Sequence, residues 1–135
     1  MPCMSAGGSG PASDPTIYIV DDDEAVRDSL ALMLESHGIA AKTYDSGVAF
    51  MGDYIPGSPG CLVLDLHMPH MDGFELLERL ANRGLSVPVV VISGRADTAE
   101  KTRATAAGVK AILDKPFSRE ELLAAIYVAV GTHRS

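Results

Sequence analysis

Apolar positions divide the chain into continuously hydrophobic runs and stretches whose hydrophobic residues recur at helical spacing. The runs 17–20 (IYIV), 61–66 (CLVLDL) and 87–93 (VPVVVIS) do not alternate with polar residues. That is the pattern of strands covered on both faces in a parallel sheet. Two weaker runs, 40–44 (AAKTY) and 109–113 (VKAIL), are expected nearer the sheet edges. Val26, Leu30, Met33, Leu34 and His37 share one helical face, and Gly38 supplies a stop. Asp23 predicts an N-cap for that helix, Ser46 one for a short helix through Met51, and Asp72 one for a helix carrying Phe74, Leu77 and Leu80. Residues 98–107 are rich in Ala and Thr and poor in large apolar anchors. Ser118 and Glu121 have capping-box spacing before Leu122, Ala125, Ile126, Ala129 and Val130.

Five strands thus alternate with five helices. Strict alternation predicts an α/β domain of three layers, a (βα)5 flavodoxin-like fold around a five-stranded parallel sheet. A chain of 135 residues holds one such core. Residues 1–15, rich in Gly, Ser, Ala and Pro, are expected to be a flexible tail, 16–131 the folded domain and 132–135 a short C-terminal tail. The net charge of −7 argues against direct binding to nucleic acid or to an anionic membrane surface, both of which need a basic face. Cys3 and Cys61 make neither a disulfide framework nor a zinc site, and receive no role. No apolar run approaches a membrane span, and the N-terminus lacks the basic start and apolar stretch of a secretory signal. A cytoplasmic location is the expectation.

In an open parallel sheet, ligands bind beyond the carboxyl ends of the strands, so the residues that follow each run matter most. The first run ends in Asp21, Asp22 and Asp23; the middle one contains Asp65; the next ends in Ser93; the last leads into Asp114 and Lys115. Taken singly, each has an ordinary structural role: Asp23 a helix cap, Ser93 a turn residue, Lys115 a surface charge. Together they place carboxylates, a hydroxyl and an ammonium on one rim. Clustered carboxylates repel, and a hard divalent cation relieves the repulsion; all-oxygen ligands suit Mg²⁺. Beside such a cation an aspartate can be a nucleophile towards phosphorus.

The stretches IYIVDDDEAVR (17–27), CLVLDLHMPHMDG (61–73), VVVISG (89–94) and AAGVKAILDKPF (106–117), in this order, resemble the receiver domain of bacterial two-component response regulators. The wording is nearest to receivers that precede LuxR-type DNA-binding domains. The resemblance implies that Asp65 accepts the phosphoryl group and that Asp21 and Asp22, with Asp65 and the backbone carbonyl of His67, hold Mg²⁺. It implies that Ser93 is the switch hydroxyl, that Lys115 contacts the phosphoryl group, and that the Lys115–Pro116 bond is cis. His67 and Arg95, each two residues beyond a site residue, match positions that modulate phosphoaspartate lifetime, although His67 is equally readable as an exposed loop side chain. Ile112 departs from the family, which often has an aromatic residue there.

The implied partners are a sensor histidine kinase or histidine phosphotransfer protein and a downstream protein target, with the chain a monomer or weak dimer. No enzymatic activity is expected beyond self-phosphorylation and self-dephosphorylation. Only GTHRS follows the last helical stripe, which points to a free-standing receiver rather than the receiver fragment of a longer transcriptional regulator. A rival reading is a haloacid dehalogenase-type phosphatase with Asp21 as nucleophile and Asp23, Ser93 and Lys115 in support. It leaves Asp65 without a role.

Overall fold

The computed structural model describes residues 15–68, 73–94 and 97–134. In chain order the elements are β1 (Thr16–Val20), α1 (Glu24–Ser36), β2 (Ala40–Tyr44), α2 (Gly47–Asp53), β3 (Gly60–Asp65), α3 (Gly73–Asn82), β4 (Val89–Ser93), α4 (Thr98–Ala106), β5 (Ala111–Asp114) and α5 (Arg119–Arg134). All pairings are parallel and the strand order is β2-β1-β3-β4-β5, so the two weak apolar runs do form the edges.

The absence of alternation in the central strands follows from two cores, one on each face of the sheet. Tyr18, Val20, Leu62, Leu64, Val89 and Val91 point to one side, against Phe50 of α2, Leu76, Leu77 and Leu80 of α3 and Ala104 of α4. Ile17, Ile19, Cys61, Val63, Val90 and Ile92 point to the other, against Leu30 and Leu34 of α1 and Leu122, Ala125, Ile126 and Ala129 of α5. Each fully buried Leu or Ile stabilises by about 1.5–3 kcal/mol relative to exposure. The helices therefore sort by their apolar faces into the outer two layers.

Local signals hold the element boundaries. The Asp23 carboxylate accepts from the amides of Ala25 and Val26, and Ser46 Oγ from that of Ala49. Ser118 and Glu121 form the reciprocal pair of a capping box at α5. Gly60, at φ +149°, opens β3 so close to β1 that a Cβ there would stand 2.0 Å from the Thr16 carbonyl oxygen. One boundary differs from expectation. The α5 helix continues through Arg134, three residues beyond the folded boundary expected at 131 and past Gly131. The proposed Asp72 cap lies outside the described residues, as does nearly all of the N-terminal tail.

The α4 helix is the exception to apolar docking: Ala104 is its one buried residue. A capping box between Asp97 and Glu100 starts it. Polar contacts attach it: Lys101 Nζ lies 3.0 Å from Asp114 Oδ2, and the Arg103 guanidinium lies 4.1 Å from the Phe74 ring centroid.

Candidate functional site

At the carboxyl end of the sheet the strand order reverses direction between β1 and β3, the crevice where parallel sheets bind ligands. β1 delivers Asp21 and Asp22 there, and β3 delivers Asp65. One carboxylate oxygen from each lies within 4.8 Å of the others. Asp21 is fully buried and Asp65 nearly so, whereas Asp22 is exposed. From the loop after β5, Lys115 Nζ reaches to 3.7 Å from Asp21 Oδ2 and 3.7 Å from Asp65 Oδ2. The Lys115 amide donates to the Ser93 carbonyl at 2.8 Å, tying that loop to the end of β4, and the Lys115–Pro116 bond is cis.

The carboxylates differ in how they are satisfied. Asp21 Oδ1 accepts from the Asp23 amide at 2.9 Å, and Asp65 Oδ1 from the His67 amide at 3.1 Å. Asp21 Oδ2 is buried with no hydrogen-bond partner among the described residues. Burial raises the Asp21 pKa above the ordinary carboxylate value; the Asp23 amide opposes the rise, and the Asp65 charge adds to it. A buried oxygen with no hydrogen-bond partner, beside two further carboxylates, is what a hard divalent cation would satisfy, so the residues present fit Mg²⁺.

Ser93, fully buried at the end of β4, faces His67: Oγ lies 3.2 Å from His67 Nδ1. The other ring nitrogen, Nε2, lies 3.0 Å from Glu100 Oε2 on the first turn of α4. The imidazole is therefore not simply a loop side chain in solvent. Gly73 makes the close approach behind Asp65 possible, since a Cβ there would stand 2.8 Å from Leu66 Cα and 3.1 Å from the Asp65 carbonyl oxygen. Ile112 packs half-buried against the core beneath α4.

Asp21, Asp22, Asp65, Ser93 and Lys115, which the strand-end pattern set on one rim, lie together there with His67; Arg95 lies outside the described residues. Asp23, which the phosphatase reading needs beside Asp21, has its carboxylate engaged at the N-terminus of α1. Sequence reasoning missed two residues. Arg27 Nη1 donates to the Asp21 carbonyl at 2.8 Å, bracing the β1–α1 turn, and Glu100 joins the site through His67. Helical periodicity carries no signal for either contact.

Residues 17–127 match the model of the response regulator receiver domain. Among characterised proteins, the transcriptional regulatory protein FixJ of Azorhizobium caulinodans is 39% identical over 115 residues, covering 85% of this chain and 54% of that protein. The response regulator protein TmoT of Ectopseudomonas mendocina is 39% identical over 117 residues, covering 87% of this chain and 53% of that protein. The chain spans about half the length of these relatives. Among solved structures, the response regulator StyR superposes with a TM-score of 0.84 at 38% identity, covering 90% of this chain and 61% of that one. The crystal structure titled FixJ-N superposes with a TM-score of 0.78 at 40% identity, covering 87% of this chain and 94% of that one.

Proposed function

The chain belongs to the response regulator receiver domain family, and on that premise we propose that it is a phosphoryl-accepting signalling switch with Asp65 as the acceptor. The observation that carries this reading is the position of Asp65: a nearly buried carboxylate that faces Lys115 at 3.7 Å and shares its crevice with Asp21 and Asp22.

The donor is the phosphohistidine of a sensor histidine kinase or a phosphotransfer protein. An Asp65 oxygen attacks phosphorus, the P–N bond to the donor imidazole breaks as the P–O bond forms, and the departing imidazole takes up a proton. Asp21, Asp22, Asp65 and the His67 backbone carbonyl would hold Mg²⁺, which neutralises phosphoryl oxygens when bound. Lys115 pairs with a phosphoryl oxygen in place of its present carboxylate partners. The Ser93 hydroxyl donates to another. His67 and Arg95 are assigned the role of setting how readily water attacks the acyl phosphate.

Phosphorylation then shifts a two-state equilibrium in the elements that contact Ser93, and the readout is a changed protein-binding surface. The α4 helix, with one buried residue, is the element that such a shift moves at least cost. Self-phosphorylation from small acyl or amido phosphates follows from the same nucleophile.

Incubation with Mg²⁺ and acetyl phosphate tests the reading. One phosphoryl group per chain, stable in acid and labile in base, with negligible turnover of p-nitrophenyl phosphate, supports it. Sustained turnover would instead favour a phosphatase, and equal labelling of Asp65→Asn would remove Asp65 from the acceptor role.

A further inference from the structure

The described residues include one side-chain chain that leaves the phosphorylation site and ends on a helix: Ser93 Oγ to His67 Nδ1 at 3.2 Å, then His67 Nε2 to Glu100 Oε2 at 3.0 Å. Its members come from β4, the β3–α3 loop and the first turn of α4. We propose that Glu100 is a positioning residue of this site, which through His67 holds the Ser93 hydroxyl away from Asp65 and so couples the docking of α4 to the unphosphorylated state. The proposal rests on Asp65 being the phosphoacceptor.

Proton inventory gives the coupling its direction. An ionised carboxylate accepts hydrogen bonds and donates none, so in the imidazole that carries one proton Glu100 selects the tautomer with that proton on Nε2. In that tautomer Nδ1 is an acceptor, and its partner is the Ser93 hydroxyl. A hydroxyl has one proton to donate. While Ser93 gives that proton to His67, it cannot give it to a phosphoryl oxygen on Asp65. Phosphorylation must release Ser93 from His67. Anything that strengthens the bond to His67 therefore opposes the phosphorylated arrangement by linkage.

Glu100 is suited to this role because α4 has so little else to hold it. Apart from Ala104, its described attachments to the rest of the domain are the pair with His67, the Lys101–Asp114 ion pair and the Arg103 stack on Phe74. Glu100 Oε1 separately accepts from the Asp97 amide in the capping box, so its two oxygens serve the helix and the site at once. The side chains of His67 and Glu100 are 39% and 31% exposed, which places the effect at the modest end of charge-assisted pairs.

The test is calorimetric titration of beryllofluoride, a phosphoryl mimic, in saturating Mg²⁺. Glu100→Ala is expected to bind about two- to fivefold tighter than wild type, the range of a partly exposed pair. Glu100→Gln, whose amide oxygen still accepts from Nε2, should stay near wild type. In a His67→Ala background the Glu100→Ala gain should vanish, because the intermediary is gone. Nitrogen-15 spectra should show wild-type His67 protonated on Nε2 and a mixed tautomer in Glu100→Ala. Unchanged or weaker beryllofluoride binding by Glu100→Ala, beside a wild type that binds normally, would overturn the coupling alone. A gain that persists without His67 would also overturn it and assign the effect to the capping box. A wild type that fails to bind beryllofluoride would overturn the phosphoacceptor reading and the coupling with it.

Discussion

The Lys115 ammonium stands 3.7 Å from Asp65 and stands equally close to Asp21, so one cation is shared by carboxylates from two different strands. That sharing predicts opposite effects of one substitution. Lys115→Ala leaves the carboxylate cluster more negative, and Mg²⁺ affinity should rise by roughly a few-fold. The same change removes a partner for the incoming phosphoryl oxygens, and labelling by acetyl phosphate should slow by about tenfold or more. The chain has no tryptophan, so titration calorimetry is the direct measure of the first effect and intact-mass kinetics of the second.

Asp21 predicts a pH dependence of stability. Its pKa in the folded protein is raised above 3.8, chiefly by burial. The folded state then holds the proton more tightly than the unfolded state, and stability falls as pH rises from the unfolded pKa through the folded one. Above the folded-state pKa the penalty is fully present. Asp21→Asn removes it, and in metal-free buffer at pH 7 the variant should melt a few degrees above wild type. The gap should shrink as pH falls towards the ordinary carboxylate pKa. Saturating Mg²⁺ should stabilise wild type more than the variant. Melting curves across pH, with and without Mg²⁺, check all three statements.

Two glycines should respond in opposite senses to alanine. A Cβ at Gly73 meets Leu66 Cα at 2.8 Å and Leu66 Cδ2 at 2.9 Å, so the end of β3 or the start of α3 must shift. Gly73→Ala should cost about 1–3 kcal/mol and impair labelling of Asp65, which lies on the strand being pushed. A Cβ at Gly52, inside α2, meets nothing within 4 Å. Gly52→Ala should stabilise by about 0.5–1 kcal/mol through lower unfolded-state entropy and leave labelling intact. Urea unfolding separates the two.

Arg103→Ala tests whether α4 is held by surface contacts. Loss of the stack on Phe74 should cost about 0.5–1 kcal/mol. Because Ala104 is the helix's one buried anchor, hydrogen exchange should quicken across 98–106 while β1, β3 and β4 keep their protection.

Much of the site was legible because parallel strands deliver their carboxyl ends to one rim. Asp21, Asp65, Ser93 and Lys115 each stand at or just past an apolar run, and that position alone placed them together. The edge strands were legible for the same reason, since 40–44 and 109–113 lack the continuous apolar character of strands buried on both faces. What the pattern could not reveal were contacts made by long polar side chains across distant elements. Glu100 closes the capping box that starts α4, and nothing local in the sequence says that its second oxygen meets His67. Arg27 reads as one more charge on an exposed helix face, yet it braces the Asp21 carbonyl.

Chemical trapping of the acyl phosphate tests the central claim most directly. Borohydride reduces an aspartyl phosphate to homoserine, which marks its position in the peptide map. After incubation with acetyl phosphate and Mg²⁺, homoserine should replace aspartate at position 65, and chelation of Mg²⁺ should abolish it. Homoserine at position 21 or 22 instead, or a retained phosphoryl group with Asp65 unmodified, would contradict the account.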